Sequence, residues 1–261
     1  MRIGKQDAAL TSICTSDATS ITVRGHDLTS EIIGTFDFTS YFWLLVTGTK
    51  PKEAQRFLAD AVLCAIAEHG LVPSVVATRM TFAAAPEAFH GAVAAGLLGC
   101  GSVVLGSAEV AGRFYAERVA AVGTEGLSMA ESAAAGIRTL CVEKKAIPGF
   151  GHPQHLGGDP RALRLLELAK QQGVEGRHIA MLHAVAAALP KTIGRSLPIN
   201  VNGAIPAVML DAGFPLAALK GISLLARTAS LIAHLQEETE RPIGFIMSGA
   251  AAERIDFAPV D

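Results

Sequence analysis

Gly149-Phe150-Gly151-His152-Pro153-Gln154-His155-Leu156-Gly157-Gly158-Asp159-Pro160-Arg161-Ala162 is a Gly/Pro-rich loop that runs straight into a helix. Asp159 suits the N-cap and Pro160 the first helical position. Arg161 then falls in the first turn, where the positive end of the helix dipole disfavours a cation. A cation placed there points to another task, such as holding an anion. His152 precedes a proline and is biased extended, while Gly151 lets a ligand come close to the backbone. The stretch is therefore a candidate site for a carboxylate-bearing molecule. The plain alternative is a surface loop with an ordinary helix start.

Outward from this loop the chain is Ala/Leu/Val/Gly-rich. Half of its 261 residues are apolar and only 5% aromatic, and mean hydropathy is +0.39. The length fits one large domain or a large and a small one. The apolar surplus points to a generous helical core with further apolar surface covered in an oligomer. A net charge of -2 gives no electrostatic case for nucleic acid or a membrane surface. Cys14, Cys64, Cys100 and Cys141 form no CxxC and no pairing with histidine. They read as small buried hydrophobes in a reducing cytosol, and the first seven residues lack the apolar core of a signal peptide, so a cytoplasmic protein is expected. Residues 91–108 are uncharged and just long enough to span a membrane. Their Gly/Ala/Ser content, between His90 and Glu109, fits a tightly packed internal helix pair better, and no membrane span is expected.

Helical periodicity covers most of the rest. Helices are expected over residues 38–47, 52–69, 73–82, 86–98, 102–119, 128–141, 160–172, 177–189, 204–211 and 216–238, with 21–27 as a short extended piece and turn. No convincing sheet and no repeat is visible, so the fold class is all-α. In 52–69, Leu58, Val62, Ala65 and His69 share a face. His69 thus extends a buried stripe at a helix C-terminus, either as a functional group or as a satisfied core histidine. Arg227 lies inside an apolar helix with no acidic residue three or four positions away. It needs a tertiary partner or an anionic ligand, unless it snorkels at an interface. No His/Asp/Glu cluster has metal-ligand spacing, so no metal is expected.

Together these residues resemble the citrate synthase superfamily, in particular its short members of citryl-CoA lyase type, over about residues 21–245. Val23-Arg24-Gly25-His26-Asp27-Leu28 resembles the family's RGY/RGH turn, and Leu44-Leu45-Val46-Thr47-Gly48-Thr49-Lys50-Pro51 its LLxGxxP. Glu68-His69-Gly70-Leu71-Val72-Pro73-Ser74 is similar to its HxxNAS segment. Gly149 to Ala162 is similar to GFGHxxxxxxDPRA, the most specific element. Asn200-Val201-Asn202 stands in place of NVD. Arg227, Ala233-His234-Leu235 and Glu240-Arg241-Pro242 resemble its closing helix and ERP.

The resemblance implies an all-helical homodimer, with a large domain from residues 1–112 and 199–261 and a small one from 113–198. A cleft between them closes over oxaloacetate and acetyl-CoA, or over their condensation product. Polycarboxylate-binding positions then fall on His69, His152, Arg161 and Arg227, with Arg241 reaching in from the other subunit. Arginine binds carboxylates through paired hydrogen bonds, so the set suits a substrate with several carboxylates. Two positions depart from the pattern. The family's catalytic histidine, in GPLHGGANE, falls on Val104 or, shifted by one, on Leu105. Its catalytic aspartate falls on Asn202, an amide that orients a substrate but takes no proton at neutral pH. Asn202 also suits the N-cap of the helix over 204–211. Near the coenzyme, Pro153 and Leu156 occupy places that are often basic in the family. Lys144 and Lys145 are the substitutes for holding coenzyme A unless they are an ordinary solvated pair, and His155 is a further candidate group or a plain loop residue.

These departures favour cleavage over synthesis. Drawing a methyl proton from acetyl-CoA needs a base that Asn202 does not supply. Cleavage of citryl-CoA, or of a similar 3-hydroxy polycarboxylyl-CoA, begins instead with the hydroxyl proton, which His152 is placed to take. The expectation is a C–C lyase releasing oxaloacetate and an acyl-CoA, with the CoA thioester as substrate, no metal, and His152 and Asn202 as the catalytic residues. The alternatives are a polycarboxylate-binding protein without turnover and a CoA-independent enzyme acting on another hydroxy-polycarboxylate.

Overall fold

The structure, a computed structural model, describes residues 9–101, 103, 105–151 and 158–259. Contacts divide the chain into two compact units, Met1–Asp60 and Ala61–Asp261.

The first unit carries a three-stranded antiparallel sheet in the order β1 (Cys14–Ser16), β2 (Ile21–Val23), β3 (His26–Asp27). It corrects the expectation of no sheet, although the fold class stays all-α. Strands of two and three residues are too short to show alternation. The β2–β3 turn is Arg24-Gly25, both left-handed (φ 51° and 85°), as a tight hairpin turn requires. The Arg24 guanidinium donates to the Leu45 carbonyl at 2.7 Å, fixing the hairpin on α1 (Phe38–Thr47). Val23, Ile32 and Leu44 form the core of this unit. Asp37 caps α1 through Ser40 N, and left-handed Gly48 ends it.

The helix α2 (Glu53–Ala67) runs across the division at Asp60. The second unit continues with α3 (Pro73–Ala84), α4 (Phe89–Leu98), α5 (Ser107–Thr124), α6 (Met129–Val142), α7 (Pro160–Gln171), α8 (Arg177–Ile193), α9 (Val201–Asp211), α10 (Leu219–Glu240) and α11 (Gly244–Arg254). Residues 91–108 are not one span: α4 ends at Leu98 and α5 begins at Ser107. The α4 helix packs closely on α3 and α10 because Gly96 has no side chain; a Cβ there would press on the Thr78 hydroxyl, Leu231 Cδ1 and the Ser74 carbonyl. Residues 216–240 are long and apolar enough to cross a membrane. In this unit α10 packs on α3, α4 and α5, with Ile222, Ala226, Leu231 and Leu235 buried.

Several ends differ from expectation. The α2 helix stops at Ala67, because the Glu68 carboxylate accepts from Gly70 N and Gly70 turns left-handed (φ 71°). Pro190 lies inside α8 instead of ending it. α11, with Gly244 and Gly249, carries little helical signal in sequence and was not expected. Cysteines are corrected too: Cys100 is buried, but Cys14, Cys64 and Cys141 are exposed.

Candidate functional site

A cavity of about 640 Å³ in the second unit is lined by His69, Ser107, Arg161, Asn202 and Arg227, with Leu105, Gly151 and Val201 among its other walls. Three of the expected polycarboxylate receptors, His69, Arg161 and Arg227, thus meet at one place although 158 residues separate the first from the last. His152 and His155 lie outside the described residues, as does Val104.

Arg227 is the decisive group. It is only 3% exposed, and its Nε has no partner among the described residues. One amino group donates to Ser230 Oγ at 3.2 Å. Ser230 Oγ donates in turn to Glu68 Oε2 at 2.5 Å, where His234 Nε2 also sits at 3.1 Å. Burial pushes the guanidinium below its ordinary pKa, and only the charges of Glu68 and Cys100 oppose this. A buried cation with an unpartnered donor is costly unless a further acceptor meets it.

Arg161 has a local partner that its sequence position does not advertise. Asp159 caps α7 through Arg161 N at 3.1 Å and also takes the Arg161 guanidinium in a two-pronged pair, at 3.0 and 2.9 Å. That carboxylate, fully buried, accepts Val201 N at the start of α9 as well (2.9 Å). The first-turn cation is therefore stabilised by its own N-cap, while it still lines the cavity.

His69 is corrected: it lies past the end of α2, exposed, and does not extend the buried stripe. The N-cap expectation for Asn202 is corrected as well. Asn200 does the capping, accepting from Gly203 N at 3.1 Å and donating to the Gly151 carbonyl at 2.6 Å. Helix α9 consequently begins at Val201, and Asn202 lines the cavity from its first turn. Opposite in sequence, Leu105 is left-handed (φ 65°), an uncommon conformation for a leucine.

The remaining expectations fall elsewhere. Lys144 and Lys145 are exposed, and Lys145 pairs with Glu143 at 2.9 Å. Lys145 lines a separate cavity of about 400 Å³ with Arg113, Arg118 and Glu117. Arg241 is exposed at the end of α10, where its carbonyl accepts from Arg79. Sequence reasoning missed Ser107 and Glu68. Ser107 Oγ is buried and has no partner among the described residues. Among the described residues no group of three or more His, Cys, Asp or Glu could hold a metal ion.

The family model for the citrate synthase C-terminal domain matches residues 18–244. The chain belongs to the citrate synthase family. Among solved structures it is similar to citryl-CoA lyase from Hydrogenobacter thermophilus, at 28% identity and a TM-score of 0.85, covering 100% of this chain and 96% of that one. It is also similar to ATP citrate lyase from Methanosaeta concilii, solved in complex with (3S)-citryl-CoA, at 18% identity and a TM-score of 0.77. That match covers 99% of this chain and 43% of the larger protein. Citrate synthase from Thermotoga maritima MSB8 shares 18% identity and a TM-score of 0.64, covering 79% of this chain and 55% of that one. The two matches at 18% identity bear on the fold alone. No curated protein sequence matches. Leu105 and Asn202 both stand in the cavity wall.

Proposed function

We propose that the protein is a carbon–carbon lyase that cleaves citryl-CoA, or a similar 3-hydroxy polycarboxylyl-CoA, into oxaloacetate or a related keto acid and an acyl-CoA. The observation that carries this reading is the cavity itself, which buried Arg227, its Nε without a partner among the described residues, lines together with Arg161 and His69. Such a set suits several carboxylates at once. The whole-length similarity to a citryl-CoA lyase supports the same chemistry.

In this reading Arg227, Arg161 and His69 hold the carboxylates of the polycarboxylate half, and Asn202 orients it. A base, assigned to His152 from the family motif, takes the hydroxyl proton. The hydroxyl oxygen becomes the keto carbonyl as the C–C bond breaks, and the electrons of that bond pass into the acyl thioester. Synthesis from acetyl-CoA is disfavoured, because an amide and an alkyl side chain do not remove a methyl proton; general acid–base groups contribute roughly 10²–10⁴-fold each. The proposal includes a cytoplasmic homodimer divided into domains as the family resemblance implies, with Arg241 completing the partner's site.

Incubation with citryl-CoA and coupled detection of the keto acid tests the reading directly. Release of oxaloacetate, abolished in His152→Ala with the melting temperature unchanged, is the expected result. Thermal stabilisation by citrate with no turnover of citryl-CoA would replace it with a polycarboxylate-binding protein, which Leu105 and Asn202 favour. Turnover of a free hydroxy-polycarboxylate would point to a CoA-independent enzyme.

A further inference from the structure

One wall of the cavity is the amino end of α5, and none of the carboxylate receptors belongs to it. This 18-residue helix has Gly106 at its N-cap and no side-chain cap. Its first-turn acid, Glu109, turns away to Arg113 at 2.7 Å. Ser107, the first helical residue, lines the cavity with its Oγ buried and without a partner among the described residues. Independently, Arg227 lines the same cavity, is 3% exposed, and has an Nε without a partner among the described residues. Buried donors are rarely left open, because an unmade hydrogen bond carries the full desolvation cost. Two such donors on different helices point to one ligand with acceptor atoms at both places. The carboxylate half of the substrate satisfies Arg227. A neutral hydroxyl beside the positive end of a helix suits a different group, an oxygen on which charge develops only during reaction.

Resting on the lyase reading, we propose that Ser107 Oγ–H, with the backbone N–H groups of the first turn of α5, forms the oxyanion hole for the thioester enolate. It fills the role vacated where the family's histidine is replaced by an aliphatic residue. When the C–C bond breaks, its electron pair moves into the acyl group and the thioester oxygen becomes an enolate oxygen. Ser107 donates a hydrogen bond to that oxygen and keeps its proton. The enolate then takes a proton at carbon from the protonated base or from water, which balances the proton lost by the hydroxyl and releases the acyl-CoA.

The test combines Ser107→Ala and Ser107→Thr with two readouts. The first is steady-state cleavage of citryl-CoA. The second is calorimetric binding of carboxymethyl-CoA in the presence of oxaloacetate, with its carboxylate standing in for the enolate oxygen, against CoA itself as control. Loss of one oxyanion donor lowers kcat on the order of 10²-fold, and KM stays nearly constant, because the bond strengthens only in the transition state. Ser107→Ala weakens carboxymethyl-CoA binding and leaves CoA binding unchanged, whereas Ser107→Thr retains the hydroxyl and most of the rate. The melting temperature of ligand-free Ser107→Ala does not fall, since the hydroxyl it removes has no partner among the described residues. Wild-type cleavage of citryl-CoA with an unaltered kcat and unaltered analogue binding in Ser107→Ala overturns the assignment of Ser107 alone. A wild-type protein that neither cleaves citryl-CoA nor binds the analogue overturns the lyase reading, and this one with it.

Discussion

Arg227 shows how one residue can be expensive for the fold and still be kept. Among the described residues it contributes a buried charge with an unpartnered Nε and a single neutral hydrogen bond, to Ser230. Replacing a buried ion by an apolar side chain of similar volume is often neutral or stabilising. Arg227→Met is therefore expected to hold or raise the urea midpoint of the ligand-free protein while it removes citrate binding. Hydrogen bonds to charged groups contribute about 1.5–3 kcal/mol, so affinity should drop on the order of 10- to 100-fold. Calorimetric titration with citrate checks this, and an unchanged affinity would remove Arg227 from the receptor. Its lack of an acidic helical partner was legible from spacing alone. For Arg161 the same logic falls short. Its first-turn position looks unfavourable in sequence, yet the N-cap two residues earlier closes on it as a two-pronged ion pair, a rotamer choice that spacing does not encode.

Between elements, Asp159 joins the start of α7 to the start of α9, and so fixes Arg161 beside Asn202. Burial alone would push its carboxyl upward, but the Arg161 guanidinium and the Val201 N–H hold it below the ordinary 3.8. A depressed carboxyl stabilises the fold at every pH above its unfolded value, and that contribution is lost as pH falls through the lower folded value. Stability of the wild type should thus be flat above about pH 5 and fall below pH 4. Asp159→Asn should lose about 2–3 kcal/mol near neutrality and show a shallower acid limb in denaturant titrations. An equally steep limb would assign the acid sensitivity to other carboxylates. The loop before α7 meets α9 through two glycines: a Cβ on Gly203 would lie 2.5 Å from the Gly149 carbonyl. Gly203→Ala should destabilise by roughly 1–3 kcal/mol through overpacking and weaken citrate binding with it; a midpoint equal to wild type would show that the loop has room to move. Long helices were legible because 3.6-residue periodicity is local. Their ends were not, because Glu68 stops α2 and Asn200 starts α9 by short-range side-chain bonds to the backbone that periodicity does not encode. The extended piece and turn over residues 21–27 were legible and form β2 and β3, whereas β1 was hidden by brevity and α11 by its glycines.

For the whole molecule, composition already pointed to more apolar surface than one subunit buries. Phe245 and Ile246 on α11 are 73% and 67% exposed, directly after the exposed Arg241. The family motifs made the citrate synthase fold legible from one loop and several short segments, whereas the exchange of Asn200 and Asn202 as helix cap became visible only in three dimensions. A proposed homodimer with Arg241 crossing into the partner's cavity makes a prediction that no arrangement of independent subunits shares. Arg227→Met and Arg241→Ala should each remove citryl-CoA cleavage when purified alone, and each should sediment as a dimer. After partial unfolding and refolding of an equal mixture, half the dimers are mixed, and in each of these one site carries both changes while the other carries neither. Closed two-fold symmetry then returns cleavage to about one quarter of the wild-type rate. Sedimentation of the wild type as a monomer, or a refolded mixture as inactive as its parents, would return Arg241 to the surface of its own subunit and leave the cavity to His69, Arg161 and Arg227 alone.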